Sequence, residues 1–141
     1  MTLDKDRNMA LKPSYNDKLH LPGLSNTEIL ILALEASQKL EWNIEEVTPE
    51  GIRFEVPFSI RSHGEAITFT IEKGSDGEVS VRSQSSSVQF VDYGKNRKNI
   101  QKLRETMEEI KASLTPEELA QRAKISKKSS TARSQKKKKP T

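Results

Sequence analysis

Three stretches decide the fold: Gly51-Ile52-Arg53-Phe54-Glu55-Val56-Pro57-Phe58-Ser59-Ile60, Ala66-Ile67-Thr68-Phe69-Thr70-Ile71 and Glu78-Val79-Ser80-Val81-Arg82. Apolar and polar residues alternate through all three, and successive side chains of an extended chain point to opposite sides. One side therefore gathers Ile52, Phe54, Ile67, Phe69, Ile71, Val79 and Val81, and the other Arg53, Glu55, Ser59, Thr68, Thr70, Glu72, Ser80 and Arg82. Short turns containing Gly64, Gly74 and Gly77 join the stretches, which favours antiparallel neighbours over crossovers. A further strand, marked by Trp42 and Ile44, precedes them across the Thr48-Pro49-Glu50-Gly51 turn, so the pattern predicts a four-stranded antiparallel meander with one apolar face. Pro57 has no amide hydrogen to donate, so its strand is expected to bulge there or to lack a partner.

The period lengthens on both sides of the meander. Ser25-Asn26-Thr27-Glu28 fits a capping box, with Leu24 and Ile29 at the staple positions. Ile29, Leu32, Ala33, Ala36 and Leu40 then recur at helical spacing, as do Ile100, Leu103, Met107 and Ile110 after Asn96. Thr115-Pro116-Glu117-Glu118 starts a third, short helix, whose Leu119 and Ala120 offer little to bury. The expected fold is α+β, a two-layer sandwich of helix, meander and helix with both long helices on the apolar face. Residues 1–23 are expected to be a flexible N-terminal arm, 24–125 a single domain, and 126–141 a disordered basic tail.

Charge is unevenly distributed along the 141 residues. Residues 121–141 hold nine Lys/Arg and no acid, leaving fifteen basic against twenty acidic side chains in residues 1–120. The net +4 thus averages a body of −5 and an appendage of +9, and does not by itself indicate a nucleic-acid-binding domain. Without cysteine there are no disulfides, thiolate metal sites or cysteine nucleophiles. No secretory leader is visible at Met1 to Tyr15, and the longest apolar run, Ile29 to Leu34, is too short to span a bilayer, so a soluble, cytoplasmic protein is expected.

The densest polar stretch joins the last strand to the second long helix: Arg82-Ser83-Gln84-Ser85, then Asp92-Tyr93-Gly94-Lys95-Asn96-Arg97-Lys98-Asn99. Its structural reading has Gly94 at positive φ, Asn96 or Asp92 capping the helix, and Arg82 pairing with Asp92. Its functional reading has an anion held by the helix amides with Lys95, Arg97 or Arg82. A Ser83, His63 and Asp92 triad can be written, but no nucleophile elbow accompanies it. Two separated histidines, His20 and His63, make no metal site, and no cofactor is expected.

The Arg-Ser-x-Ser strand followed by Asp-x-Gly-x-Asn-x-x-Asn-Ile, here Arg82 to Ser85 and Asp92 to Ile100, resembles a bacterial family of domains of unknown function. It is also similar to short Bacteroidetes domains with an Asp-Trp-Gly-Lys-Asn-Lys-Lys-Asn signature, in which tryptophan stands where this chain has Tyr93. The resemblance spans about residues 26–111 and implies a shared fold and turn, with no catalytic residue to carry over.

The expected function is that of a non-catalytic interaction module. A protein partner would meet the polar sheet face and the Asp92 to Asn99 turn, the candidate contacts being Arg82, Ser83, Ser85, Asp92, Tyr93, Gly94, Lys95, Asn96 and Asn99. The alternative is a nucleic-acid-associated accessory protein, binding nonspecifically through Lys127, Lys128, Arg133, Lys136, Lys137, Lys138 and Lys139. The same tail would serve for an anionic surface. A small hydrolase is the remaining alternative.

Overall fold

The structure, a computed structural model, describes residues 14–57, 64–85 and 94–125. Five strands form one antiparallel sheet: β1 (Ser14–His20), β2 (Asn43–Thr48), β3 (Gly51–Val56), β4 (Glu65–Ile71) and β5 (Glu78–Ser85), in the order β1-β5-β4-β3-β2. Helix α1 (Asn26–Lys39) lies towards β2 and β3, and α2 (Lys95–Ser113) towards β5 and β1, the two helices packing against each other. A third helix, α3, spans 116–125. The fold is α+β, and its consecutive strands β2 to β5 form the expected meander.

The alternation in sequence becomes two faces in space. Ile52, Phe54, Ile67, Phe69, Ile71, Val79 and Val81 are buried beneath the helices with Ile29, Leu32, Ile100, Leu103 and Met107. Arg53, Thr68, Thr70 and Arg82 are exposed on the other face, and Ser80 is half-buried. Helix α1 begins with the expected capping box: the Glu28 amide donates to Ser25 Oγ (3.1 Å) and the Ser25 amide to Glu28 Oε1 (2.9 Å). It ends with Glu41 in the left-handed region (φ 61), while the Trp42 amide donates back to the Ser37 carbonyl (2.9 Å). This closure seats Trp42 against Phe54, ring centroids 5.9 Å apart.

Two expectations are corrected. The N-terminal arm ends earlier than Gly23, because Ser14–His20 pairs along its length with β5 and makes the sheet five-stranded. Its inward positions are Tyr15, Asp17 and Leu19, so a charged side chain interrupts the apolar row. Arg104 Nη2 of α2 meets that charge, donating to Asp17 Oδ2 at 2.6 Å. This hydrogen bond, with a second from the Lys18 amide, holds the Asp17 carboxyl below the usual aspartate range. Residues beyond His20 are tied down too: the Leu21 amide donates to the Gly77 carbonyl (2.8 Å) and the Gly23 amide to Asp76 Oδ1 (2.9 Å).

The second correction concerns α3. Its Thr115/Glu118 capping box forms as expected, but Leu119 and Ala123 are buried and Arg122 pairs with Glu35 of α1. The helix is therefore docked, because a two-residue turn, Leu114 and Thr115, returns the chain to the α1 surface at Leu119 and, one turn on, at Ala123. Pro57 follows the last paired residue of β3, Val56, and lies exposed without a strand partner among the described residues, one of the two outcomes expected of it. The expected extension to Ile60, His63, Asp92, Tyr93 and the tail from residue 126 lie outside the described residues.

Candidate functional site

Strand β5 changes character along its inward row, which runs Val79, Val81, Ser83, Ser85. Where it turns polar, the first turns of α2 bring Asn96 and Asn99 down onto it, and the cross-strand neighbour of Ser85 is Glu65. These five side chains form a buried chain of hydrogen bonds. Ser83 Oγ donates to Asn96 Oδ1 (2.7 Å), and Asn96 Nδ2 donates to Ser85 Oγ (3.1 Å). Asn99 Nδ2 donates to Glu65 Oε1 (2.9 Å) and to Ser83 Oγ (3.3 Å). Exposure is 0% for Ser83 and Asn96, 2% for Ser85 and Glu65, and 6% for Asn99, so Ser83, Ser85 and Asn96 lie out of a partner's reach, while Glu65 and Asn99 border a groove at the edge of the network. Most of their polar atoms satisfy one another instead, as buried polar groups generally do.

Several candidate contacts therefore change role. Ser83, Ser85, Asn96 and Asn99 belong to the interior and fix the seat of α2 on the sheet. Asn96 does not cap α2: Gly94 is the N-cap residue, left-handed at φ 76, with no side-chain capping bond. Lys95 is half-buried at the helix start. Ser83 cannot serve as an accessible nucleophile, since its hydroxyl lies in the core donating to Asn96. Arg82, adjacent in sequence, points the opposite way, so the sheet separates it from Ser83, Ser85, Asn96 and Asn99.

On that open face Arg82 sits in the row Arg53, Thr68, Arg82, Asn16, beside the row Thr70, Ser80, Lys18. The other cations there have partners, Lys18 with Glu72 (3.9 Å) and Arg53 with Glu45 (3.7 Å), and Ser80 also donates to Glu72. Among the described residues Arg82 has no hydrogen bond or ion pair, and neither do the side chains of Asn16, Thr68 and Thr70. Around them lies a shallow concavity of about 540 Å³ lined by these four residues with Lys18 and Ser80, and by parts of Asp17 and Val81. A planar guanidinium amid hydroxyl and amide donors is suited to a carboxylate or another flat anion.

Glu65, Asn16 and Lys18 were not candidates from the sequence. Extending the inward phase of Ile67, Phe69 and Ile71 back by two residues reaches Glu65, a signal that was available; Asn16 and Lys18 depend on recognising β1. Among the described residues no group of three or more His, Asp or Glu side chains could hold a metal ion, and no helix is long and apolar enough to cross a membrane.

The model of one protein family, described as a protein of unknown function (DUF1499), matches residues 6–107. That span includes all five strands, the buried network and most of α2, while α3 and the basic tail lie beyond it. No curated protein matches the chain.

Proposed function

The chain belongs to this family of unknown function, and we propose that it is a non-catalytic interaction module whose open sheet face binds an acidic protein surface through Arg82. The observation that carries the proposal is the guanidinium at the centre of that face, which among the described residues has no hydrogen bond or ion pair, as is true of the side chains of Asn16, Thr68 and Thr70 beside it. Its neighbours on the sheet give a partner carboxylate several donors in fixed positions, so that little ordering is needed on binding. Aromatic side chains that would stack on bases are lacking among the described residues of this face, which favours protein over single-stranded nucleic acid. In this reading the Ser83, Ser85, Gly94, Asn96 and Asn99 pattern specifies the fold, and Arg82 alone of the motif serves binding. The cysteine-free composition is compatible with a cytoplasmic setting.

The basic segment Lys127 to Lys139 supports a second reading, nonspecific association with nucleic acid or an anionic surface by counterion release. The two separate in one experiment. The isotope-labelled full chain is titrated with a short peptide of alternating Glu and Ser while amide resonances are followed residue by residue. The proposal expects perturbation of Asn16, Lys18, Thr68, Thr70, Ser80 and Arg82, and roughly tenfold weaker binding at those residues for Arg82→Ala, equivalent to about 1.4 kcal/mol. Perturbation confined to residues 126–141, unchanged by Arg82→Ala, refutes it and favours the tail.

A further inference from the structure

A second concavity lies at the other end of the sheet, on the helix side, between the start of α2 and the ends of α1 and β3. It is an open groove of about 410 Å³, walled by Leu40, Trp42, Val56 and Pro57 with Glu41 at the end of α1, with Glu65 and Asn99 at its polar floor and Lys95, Lys98 and Lys102 along one side. Two features set it apart from an ordinary surface cleft. Asn99 is 6% exposed and spends both amide hydrogens on Glu65 and Ser83, yet among the described residues its Oδ1 accepts no hydrogen bond. A buried acceptor left unmet is uncommon in folded proteins, and Asn99 is among the residues bordering the groove, where a donor brought from outside would meet that need.

The second feature is electrostatic. Lys98 and Lys102 are one helical turn apart, exposed and without ion-pair partners among the described residues. They stand with Lys95 in the N-terminal half of a helix whose first turn contains no acid. Like charges at the four-residue spacing of Lys98 and Lys102 repel, and an anion between them would relieve that repulsion. The acidic Glu65 at the floor fixes polarity: the anionic end of a ligand belongs at the lysine side and its hydrogen-bond donor at the floor. The intervening wall, Trp42, Val56 and Pro57, is apolar.

We propose that this groove binds a small carboxylic acid with an apolar body and an amide or hydroxyl donor, the donor meeting Asn99 Oδ1, the body lying on Trp42, and the carboxylate facing Lys98 and Lys102. This site is on the opposite side of the sheet from Arg82 and stands independently of the interaction proposed there. Burial of the body supplies the larger part of the affinity, and the two polar ends supply orientation.

Trp42 is the chain's sole tryptophan, so its fluorescence reports directly on the groove. The probe is N-acetyl-phenylalanine titrated into the full chain, with 3-phenylpropionate, which lacks the amide donor, and inorganic phosphate, which lacks the body, as comparisons. Saturable change in Trp42 emission is expected with N-acetyl-phenylalanine, about tenfold weaker binding with 3-phenylpropionate, and no saturation with phosphate. The double substitution Lys98→Glu/Lys102→Glu, made at exposed positions where folding is retained, is expected to weaken the first probe at least tenfold. Asn99→Asp, which keeps the acceptor oxygens but removes the donors to Glu65 and Ser83, tests the floor if it folds. Equal affinity for the two organic acids, an unaffected lysine variant, or no saturable signal from N-acetyl-phenylalanine overturns the proposal.

Discussion

Strand β5 carries two polar regions back to back. Ser83 and Ser85 face the helices and are consumed by hydrogen bonds to Asn96 and Asn99, while Arg82 faces solvent among unengaged donors. The inner region is polar and closed, the outer polar and open. Residues adjacent in sequence thus divide between specifying the fold and presenting chemistry, because the pleat sends neighbours to opposite faces. A conspicuous polar motif in a strand therefore need not form one site.

Substitutions can break or sharpen this contrast. The largest loss of stability is expected for Asn96→Ala, which strands Ser83 and Ser85 in the core and opens a void: about 3 kcal/mol, read as a fall of the order of 10–20 °C in Tm. Next comes Gly94→Ala at the turn that delivers Asn96. A Cβ there meets nothing within 4 Å, so only the left-handed φ of 76° is penalised, at about 1 kcal/mol by chemical denaturation.

Asp17→Asn is smaller at neutral pH, below about 1 kcal/mol, since the pair with Arg104 is half-exposed. Its pH dependence is more diagnostic. The folded-state pKa of Asp17 is depressed, so its contribution is complete above the unfolded value of about 3.9 and is lost as pH falls through the lower folded value. Denaturation midpoints of wild type and Asp17→Asn should accordingly converge only in that acid range. Convergence already at pH 6 would mean that Arg104 does not hold β1 to α2. Smallest is Arg82→Ala, expected within about 0.5 kcal/mol of wild type, as for an exposed side chain without a partner among the described residues.

Much of this architecture was legible in the sequence because its signals are local. The period-two rows at Ile52, Ile67 and Val79 and the capping boxes at Ser25 and Thr115 depend only on nearby residues. Strand β1 was missed because its inward centre is Asp17, acceptable only once Arg104, far along the chain, has come to face it. The docking of α3 was missed for a similar reason, as Leu119 and Ala123 find their cover on other helices. Of the candidate site, the residue types in Ser83, Ser85, Asn96 and Asn99 were conspicuous. That they meet one another, with Glu65 as the fifth member, is a property of strand register and helix placement. Sequence proximity grouped Arg82 with them, and three-dimensional structure separates it.

The central claim, that the motif is divided between fold and binding, is tested most directly by measuring thermal unfolding and acidic-peptide affinity together on Arg82→Ala and Ser83→Ala. The account predicts that Arg82→Ala melts with wild type and binds about tenfold more weakly, equivalent to about 1.4 kcal/mol. Ser83→Ala should melt several degrees lower and, below its transition, bind as wild type does. The opposite pattern, with affinity unchanged by Arg82→Ala and Tm unchanged by Ser83→Ala, would contradict it.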